Sequence, residues 1–354
     1  MTTVDPTLGV CPVPAAETEK VLLGHGSGGQ LSAELLRDIL IPALGHAGAG
    51  AGVPEDAAVL DIDGVDLVVS TDSFVVSPLF FPGGDIGALA VHGTVNDLAM
   101  MGAMPVALAV AYVIEEGFPI ADLRRVTASV GAAAAAAGVQ VVTGDTKVVG
   151  RGAADGIFVT TTGIGRRLPT ARISAAFARP GDVVLLSGPI GAHGTTVLST
   201  RESLGFETEI ASDTRALHRL VAAMLAEAGT DLHVMRDPTR GGVASALNEI
   251  AAASRVGIEI DEQAIPVPPT AAAACELLGL DPLHVANEGC LVAITAPDAA
   301  EALLATMRSQ PEGVGAVRLG AVVGEHPGRV LMNTLMGGKR IIDMLVGEQL
   351  PRIC

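Results

Sequence analysis

Around Leu168-Pro169 the alternation of strand-like and helix-like runs begins again, and that restart limits the fold more than any other feature of the chain. Before it, apolar periodicity predicts a short strand or extended arm at 20–23, strands at 57–62, 66–70, 106–114, 139–143 and 156–165, and helices at 30–40, 86–101 and 120–137. After it, strands are expected at 183–187, 257–261, 290–295, 316–323 and 339–345. Helices there are expected at 192–203, 213–228, 243–254, 270–278 and 298–308. Several strands are neighbours in sequence and others are separated by helices, which points to α+β or mixed α/β. At 354 residues the chain exceeds one typical core. We expect domains at 20–168 and 169–345, a loose leader at 1–19 and a tail at 346–354.

Charge and composition exclude several functions. Lys plus Arg total 22 against 39 Asp plus Glu, a formal charge of −17. No excess of cations is present to neutralise phosphates, so a nucleic-acid partner is not expected. With no Trp and a single Tyr, stacking on bases is not on offer either. Residues 1–19 lack a basic start and an apolar core, so no signal peptide is read there. The stretch 98–114 has membrane length, but Gly102, Pro105 and the following Glu115-Glu116 favour a buried helix-to-strand passage. Cys11, Cys275, Cys290 and Cys354 are scattered without a C-x-x-C pair, so neither a zinc site nor a disulfide scaffold is indicated. The expected location is the cytoplasm, with no membrane contact.

The chain ends in Pro351-Arg352-Ile353-Cys354. A thiol on a mobile terminus is easily oxidised and does no packing that another small apolar residue could not do. The thiolate is a nucleophile, so the position points to chemistry. A prenylation box would place its Cys four residues from the end and does not match. Gly347 loosens the approach and Pro351 stiffens the tip. Eight residues at about 3.3 Å each reach roughly 26 Å, enough to enter a pocket on the chain's own body.

Further candidates are spread along the chain. Gly24-His25-Gly26-Ser27-Gly28-Gly29 matches G-x-G-x-x-G, but Gln30-Leu31 stand where a Walker Lys-Ser/Thr would be, and a Gly/Ala stretch at 45–52 replaces the Rossmann acid. Either Gly26, Gly28 and Gly29 cradle phosphate with bare N–H groups, or the loop is a hinge. Asp56, Asp72, Asp97, Asp145 and Asp237 lie at strand ends or on helices, mostly beside Gly, Thr or Ser. Singly these are turn or cap residues; together they are what a Mg²⁺–nucleotide site needs, since hard carboxylate oxygens hold the ion. Lys147, two positions after Asp145, is either a surface lysine or a cation near metal-bound phosphate. Arg240 binds phosphate or caps a surface. Glu288, ahead of an apolar strand, is a candidate base or a turn residue. His92, Cys275 and Cys290 are read as packed.

Together the stretches Glu55-Asp56-Ala57, Thr71-Asp72-Ser73, Asn96-Asp97-Leu98, Gly144-Asp145-Thr146-Lys147, Asp237-Pro238-Thr239-Arg240-Gly241-Gly242, Asn287-Glu288-Gly289, the Gly24–Gly29 loop and the terminal Pro-Arg-Ile-Cys resemble the HypE family of hydrogenase maturation factors. That family lies in the superfamily of aminoimidazole ribonucleotide synthetase, selenophosphate synthetase and thiamine-phosphate kinase. The resemblance implies a two-domain PurM-like ATP-binding fold, with an α+β N-terminal domain that forms a homodimer and an α/β C-terminal domain. It implies ATP and Mg²⁺ as cofactors, with Gly26, Gly28, Gly29, Asp56, Asp145, Thr146 and Arg240 near nucleotide and Asp56, Asp72, Asp97, Asp145 and Asp237 near metal. It also implies the reaction: a HypF carbamoyltransferase loads Cys354, the S-carboxamide is dehydrated to an S-cyanate, and cyanide passes to iron on a HypC–HypD complex. Lys147 and Glu288 would then remove protons. The rival readings are a kinase or cycloligase of the same fold, which would not need Cys354, and a non-enzymatic thiol carrier.

Overall fold

The computed structural model describes residues 20–44, 54–202, 210–347 and 352–354. The leader 1–19, the Gly/Ala stretch 45–52 and tail residues 348–351 lie outside the described residues. The chain enters through helix α1 (Gln30–Leu35), a π-helical turn at Leu36–Leu40 and α2 (Ile41–Leu44).

Two sheets then organise the molecule. In the first, β1 (Ala58–Ile62) and β2 (Val65–Phe74) form a hairpin about Asp63-Gly64. Both turn residues have positive φ (53° and 81°), the combination a two-residue hairpin needs to match strand twist. A short ribbon, β3 (Phe80–Phe81) with β4 (Gly84–Asp85), leads into α3 (Ile86–Met100). The Asp85 carboxylate caps that helix by accepting from the N–H groups of Gly87 and Ala88. Next come β5 (Ala103–Glu115), α4 (Ile120–Ala137), β6 (Gln140–Val149) and β7 (Ile157–Arg167). The sheet order is β1-β2-β7-β5-β6, with only β5 and β6 parallel.

The second sheet is built from β8 (Val183–Leu186), β9 (Leu232–Arg236), β10 (Gly257–Asp261), β11 (Val292–Thr295), β12 (Val317–Val323), β13 (Arg329–Asn333) and β14 (Lys339–Ile342). Its order is β14-β13-β10-β12-β8-β11-β9, antiparallel except between β10 and β13. Helices α5 (Ala192–Arg201), α6 (His218–Ala228), α7 (Gly242–Ser254), α8 (Pro269–Leu278) and α9 (Ala300–Ser309) pack around it.

Helix α3 joins the halves. It is apolar on nearly every side, as a helix buried all round must be. One side packs with Phe74, Val126 and Val159, while Ala99 and Met100 enter the core built by Leu220 and Met224 of α6. The membrane-length stretch is therefore the end of α3, a turn at Gly102 (φ +73°) and β5. No helix among the described residues is long and apolar enough to cross a membrane.

The structure differs from sequence expectation at several places, each for a physical reason. Of the two alternatives for 20–23, the arm is found and not the strand: Leu22 is extended, and Leu23–Gly26 form a 3-10 turn, closed by Leu22 N–H donating to His25 Nδ1. The strand expected to break at Gly144 continues to Val149, because Gly144 serves close approach: a Cβ there would lie 2.1 Å from the Val110 carbonyl. The helix expected from Asp213 starts at His218, since the backbone and side chains of 212–217 are committed to contacts with α3 and with Glu288 and Gly289. Strand β9 and the β3–β4 ribbon carry no periodic signature because they are short or buried throughout.

A candidate active site around the docked carboxyl terminus

The last three residues lie against the segment that follows β2. Val75 N–H donates to the Cys354 carbonyl (3.0 Å) and Ser77 N–H to that of Arg352 (3.2 Å), so the tail runs antiparallel to 75–77. Ile353 is buried in a cluster that includes Phe74, Val76, Phe81, Val197 and Ala286. Its carbonyl lies 2.8 Å from Nε2 of His193. Cys354 is thus held half-buried. Burial pushes its thiol pKa up, nearby Glu288, Asp72 and Asp97 push the same way, and the Arg240 guanidinium opposes them. Charges from β2, α3, the turn before α7 and the loop before β11 therefore act on one sulfur.

The carboxylates form a crowded set. Asp97 accepts from Ser70 Oγ at 2.6 Å, yet burial and then Asp237, Asp56 and Asp72 raise its pKa well above the usual range. Burial also raises Asp237, to about 6, against the pull of Arg236. Asp56 is raised well above the usual range by burial, although Arg236 Nε lies 3.2 Å from its Oδ1. Arg236 also pairs with Glu249 and donates to the Pro54 carbonyl, so one cation anchors this end of the cluster. Glu288 is buried, its Oε1 has no partner, and burial followed by Asp237, Asp213 and Asp72 raises its pKa well above the usual range.

Such a donor set suits a hard divalent ion. Asp56 Oδ2 is buried without a hydrogen-bond partner, and hard carboxylate oxygens that repel one another are relieved by a cation. Among the described residues no three His, Cys, Asp or Glu side chains already form a closed cage. Mg²⁺ does not require one, because it is usually held by one or two carboxylates together with phosphates and water.

The crowding has a measurable consequence. A carboxyl whose pKa is raised by folding contributes stability that is complete below its unfolded value and lost as pH rises through its folded value. For Asp237 that window runs from 3.8 to about 6. With chelator and without nucleotide, the melting temperature of the wild type should rise relative to that of Asp237→Asn as the buffer is taken from about pH 7.5 to about pH 5.5, a comparison in which the opposing effect of the buried histidines cancels. A relative fall over that range would mean that Asp237 is not buried as a charge.

The glycine loop and Arg240 close the other side. Arg240 NH1 donates to the Gly26 carbonyl at 2.8 Å. A Cβ on Gly28 (φ +75°) would lie 2.6 Å from that of Arg240, and one on Gly29 would lie 2.3 Å from the Leu345 carbonyl. Gly28 N–H donates to Ser32 Oγ and Gln30 N–H to Leu345. In this conformation the glycines thus serve close packing, and two N–H groups of the loop and its helix start are spent within the chain. An open pocket of about 360 Å³ remains between the loop, Arg240, His284, Ala286 and Ile353.

Three candidates are not brought here by this single chain. Asp145, Thr146 and Lys147 lie on the exposed edge strand β6, where Lys147 Nζ pairs with Asp145 Oδ2 at 2.7 Å. Lys147 and Thr146 hold the Asp145 carboxyl below its ordinary value.

Asp213 gave no site signal in the sequence, and the roles of Gly289 and Asn96 emerge only in the structure. Asp213 accepts from the backbone N–H of both Glu288 (3.1 Å) and Gly289 (3.0 Å), which orients the Glu288 turn. A Cβ on Gly289 would sit 1.8 Å from the Asp213 carbonyl, so only glycine allows this approach. Asn96 donates to Arg215 O and accepts from Leu217 N–H, tying α3 to the same loop. His92 is packed as expected, 3.3 Å from Thr214, with its pKa lowered to about 4 by burial. Cys275 and Cys290 are buried.

Comparison with known proteins places this architecture. The N-terminal domain of the AIR synthase related proteins matches residues 54–167, and their C-terminal domain matches 179–333. The carbamoyl dehydratase HypE of Rhizobium leguminosarum bv. viciae is 53% identical over 335 residues, covering 95% of each chain. A crystal structure of HypE in complex with ATP superposes with a TM-score of 0.80 at 48% identity, covering 95% of this chain and 100% of that one. The HypE of a HypE–HypF complex superposes with a TM-score of 0.81 at 46% identity, covering 90% and 100%. With its two PurM-like domains and its terminal thiol turned into the acidic site between them, this chain belongs to the HypE family of carbamoyl dehydratases.

Proposed function

We propose that the docked tail is the geometry in which the dehydration takes place, with Cys354 carrying the substrate and ATP taking up its oxygen. One observation carries this reading: the tail docks against 75–77, which brings the Cys354 sulfur within electrostatic reach of Arg240, Glu288, Asp72 and Asp97, none of which is near it in sequence. The step balances as Cys354–S–C(=O)NH₂ + ATP → Cys354–S–C≡N + ADP + phosphate. The carboxamide oxygen attacks the γ-phosphorus and leaves as phosphate; as the C≡N bond forms, one N–H proton ends on the departing phosphate and the other passes to the base and from it to water. An amide oxygen is a poor leaving group until phosphorylated, and phosphoryl transfer asks mainly for positioning and charge stabilisation.

Asp72, Asp97 and Asp237, with Asp56, would hold Mg²⁺, which when bound neutralises charge on the phosphates. Arg240 stands where it can meet phosphate oxygens at the mouth of the pocket. Glu288, buried and partnerless on Oε1, suits removal of an N–H proton because its raised pKa makes it a stronger base than an exposed carboxylate. The surroundings that keep the docked thiol protonated also argue that carbamoyl loading happens elsewhere, on an undocked tail presented to a carbamoyltransferase. The solved HypE–HypF complex supports a HypF-type donor, and the ATP complex supports ATP as co-substrate. An iron-bearing HypC–HypD complex as cyanide acceptor and a cytoplasmic location complete the reading.

A homodimer through the first sheet belongs to it as well. β6 is an unpaired edge that exposes Val141, Val142 and Val148, with Val106 and Ile164 exposed on neighbouring strands. Such an edge is open to pairing with a second chain, and burying it would bring Lys147 and Asp145 into an interface. Sedimentation should therefore give a dimer for the full chain and a monomer for Val142→Lys/Val148→Lys. A wild-type monomer would remove this part of the proposal.

The reaction is tested by intact mass with mapping of the carboxyl-terminal peptide after incubation with HypF, carbamoyl phosphate and Mg²⁺–ATP. An adduct on Cys354 that loses one water only when this chain has ATP is the expected result. An adduct that never dehydrates would leave a carrier, and ATP consumption against a free substrate without an adduct would leave a kinase.

A further inference from the structure

The docked tail is held by groups that do not depend on its being joined to the body. Each of its last three carbonyls has a donor. Arg352 O accepts from Ser77 N–H and from the guanidinium of Arg201 (2.9 Å), Ile353 O faces His193, and Cys354 O accepts from Val75 N–H. Arg201 also donates through Nε to Ser77 O at 2.8 Å, bridging the tail and the segment it lies on.

The direction of the His193 hydrogen bond is fixed by its surroundings. Ser212 Oγ accepts from Thr214 N–H (3.1 Å) and lies 2.8 Å from His193 Nδ1. Because the Ile353 carbonyl can only accept, Nε2 carries the ring proton and donates it, and Nδ1 of the neutral ring accepts from the Ser212 hydroxyl. The ring is fully buried and stands edge-on to Phe81, with centroids 5.6 Å apart.

Two tail side chains are read in addition. Ile353 fills the apolar pocket described above. Arg352 pairs with Asp155, donates through Nε to Val75 O at 2.9 Å and lies 5.9 Å from the ring of Phe158. Its φ is +52°, a left-handed conformation that a free arginine rarely adopts, so the groove imposes the shape rather than accepting whatever the tail presents.

We propose that this groove is a sequence-reading peptide site. It binds Arg352-Ile353-Cys354 as a ligand in its own right, with His193 and Arg201 as positioning residues that set how far the sulfur enters, and it takes the same segment when supplied as a separate peptide. The inference rests on the docked-tail reading above and extends it: selectivity for the carrier thiol resides in recognition of the two preceding residues, and the covalent tether supplies only effective concentration.

The test uses the full-length chain with Ile353→Asp, which cannot seat its own tail, and a peptide of residues 347–354 carrying an amino-terminal fluorophore. Saturable polarisation is expected. A peptide with Asp at the penultimate position should bind at least about tenfold more weakly, as should the wild-type peptide to a chain that also carries Arg201→Ala or His193→Ala. Equal binding of the two peptides, or no binding, overturns the proposal. A second readout needs no unseated variant. Alkylation of Cys354, followed by peptide mapping in the otherwise wild-type chain, should be about tenfold faster with Arg201→Ala or His193→Ala, and an unchanged rate counts against the proposal. A chain that dehydrates its own carbamoylated Cys354 yet ignores the peptide sinks this inference alone. A peptide bound selectively while carbamoylated Cys354 is never dehydrated sinks the catalytic reading and leaves the peptide site standing.

Discussion

Cys354→Ala is expected to abolish S-cyanate formation completely, because no other thiol among the described residues can take its place. Among the described residues the remaining cysteines, Cys275 and Cys290, are buried in the core and their thiols are pushed up by burial, Cys275 to about 11. The fold should hardly notice. The half-buried sulfur packs at the edge of its cluster, and losing it costs under about 1 kcal/mol, which in a chain of this size moves the melting temperature by no more than about 2–4 °C. ATP binding should survive as well. The measurement is product mass beside a melting curve, and residual S-cyanate on the Ala variant would place the carrier elsewhere.

Glu288→Gln is the second large effect, and it should separate catalysis from stability. If Glu288 takes the N–H proton, the amide removes the base without changing shape, and dehydration should slow by about 10²–10⁴-fold while carbamoylation of Cys354 is untouched. Stability should move the other way. The native carboxylate is buried beside Asp213, Asp72 and Asp237 with one oxygen unpartnered, so its charged form is disfavoured. A neutral isostere relieves that repulsion at neutral pH, and the variant should melt at a higher temperature than the wild type. Single-turnover decay of the carbamoylated chain, read by mass, checks the first half; calorimetry checks the second. A variant with a wild-type rate would return the role of base to Lys147, which Lys147→Met would then test.

Much of this was visible from short range. The adjacent strands at 57–62 and 66–70, the apolar run of α3 and the candidate acids at 56, 72, 97 and 237 depend on residues a few positions away. Local backbone preference is enough to read them. The limits of that reading are equally local. Gly144 resembled a strand end because a glycine's reason for being there, the Val110 carbonyl beside it, lies on another strand. Asp213 resembled a helix start, whereas its carboxylate belongs to a turn 75 positions further on.

The chain by itself determined two rounds of strands and helices, an acidic charge balance, and a thiol at the end of a short approach with enough reach to fold back. These follow from composition, side-chain period and chain length. Only the tertiary structure decided which acids meet, that Arg236 and Arg240 are the cations among them, and that His193 and Arg201 hold the tail. It also left Asp145 and Lys147 on an exposed edge. Those pairings join residues as far apart as Val75 and Cys354. They are set by the packing of two sheets about α3, and no local preference encodes a contact whose two partners are brought together only when the whole core closes.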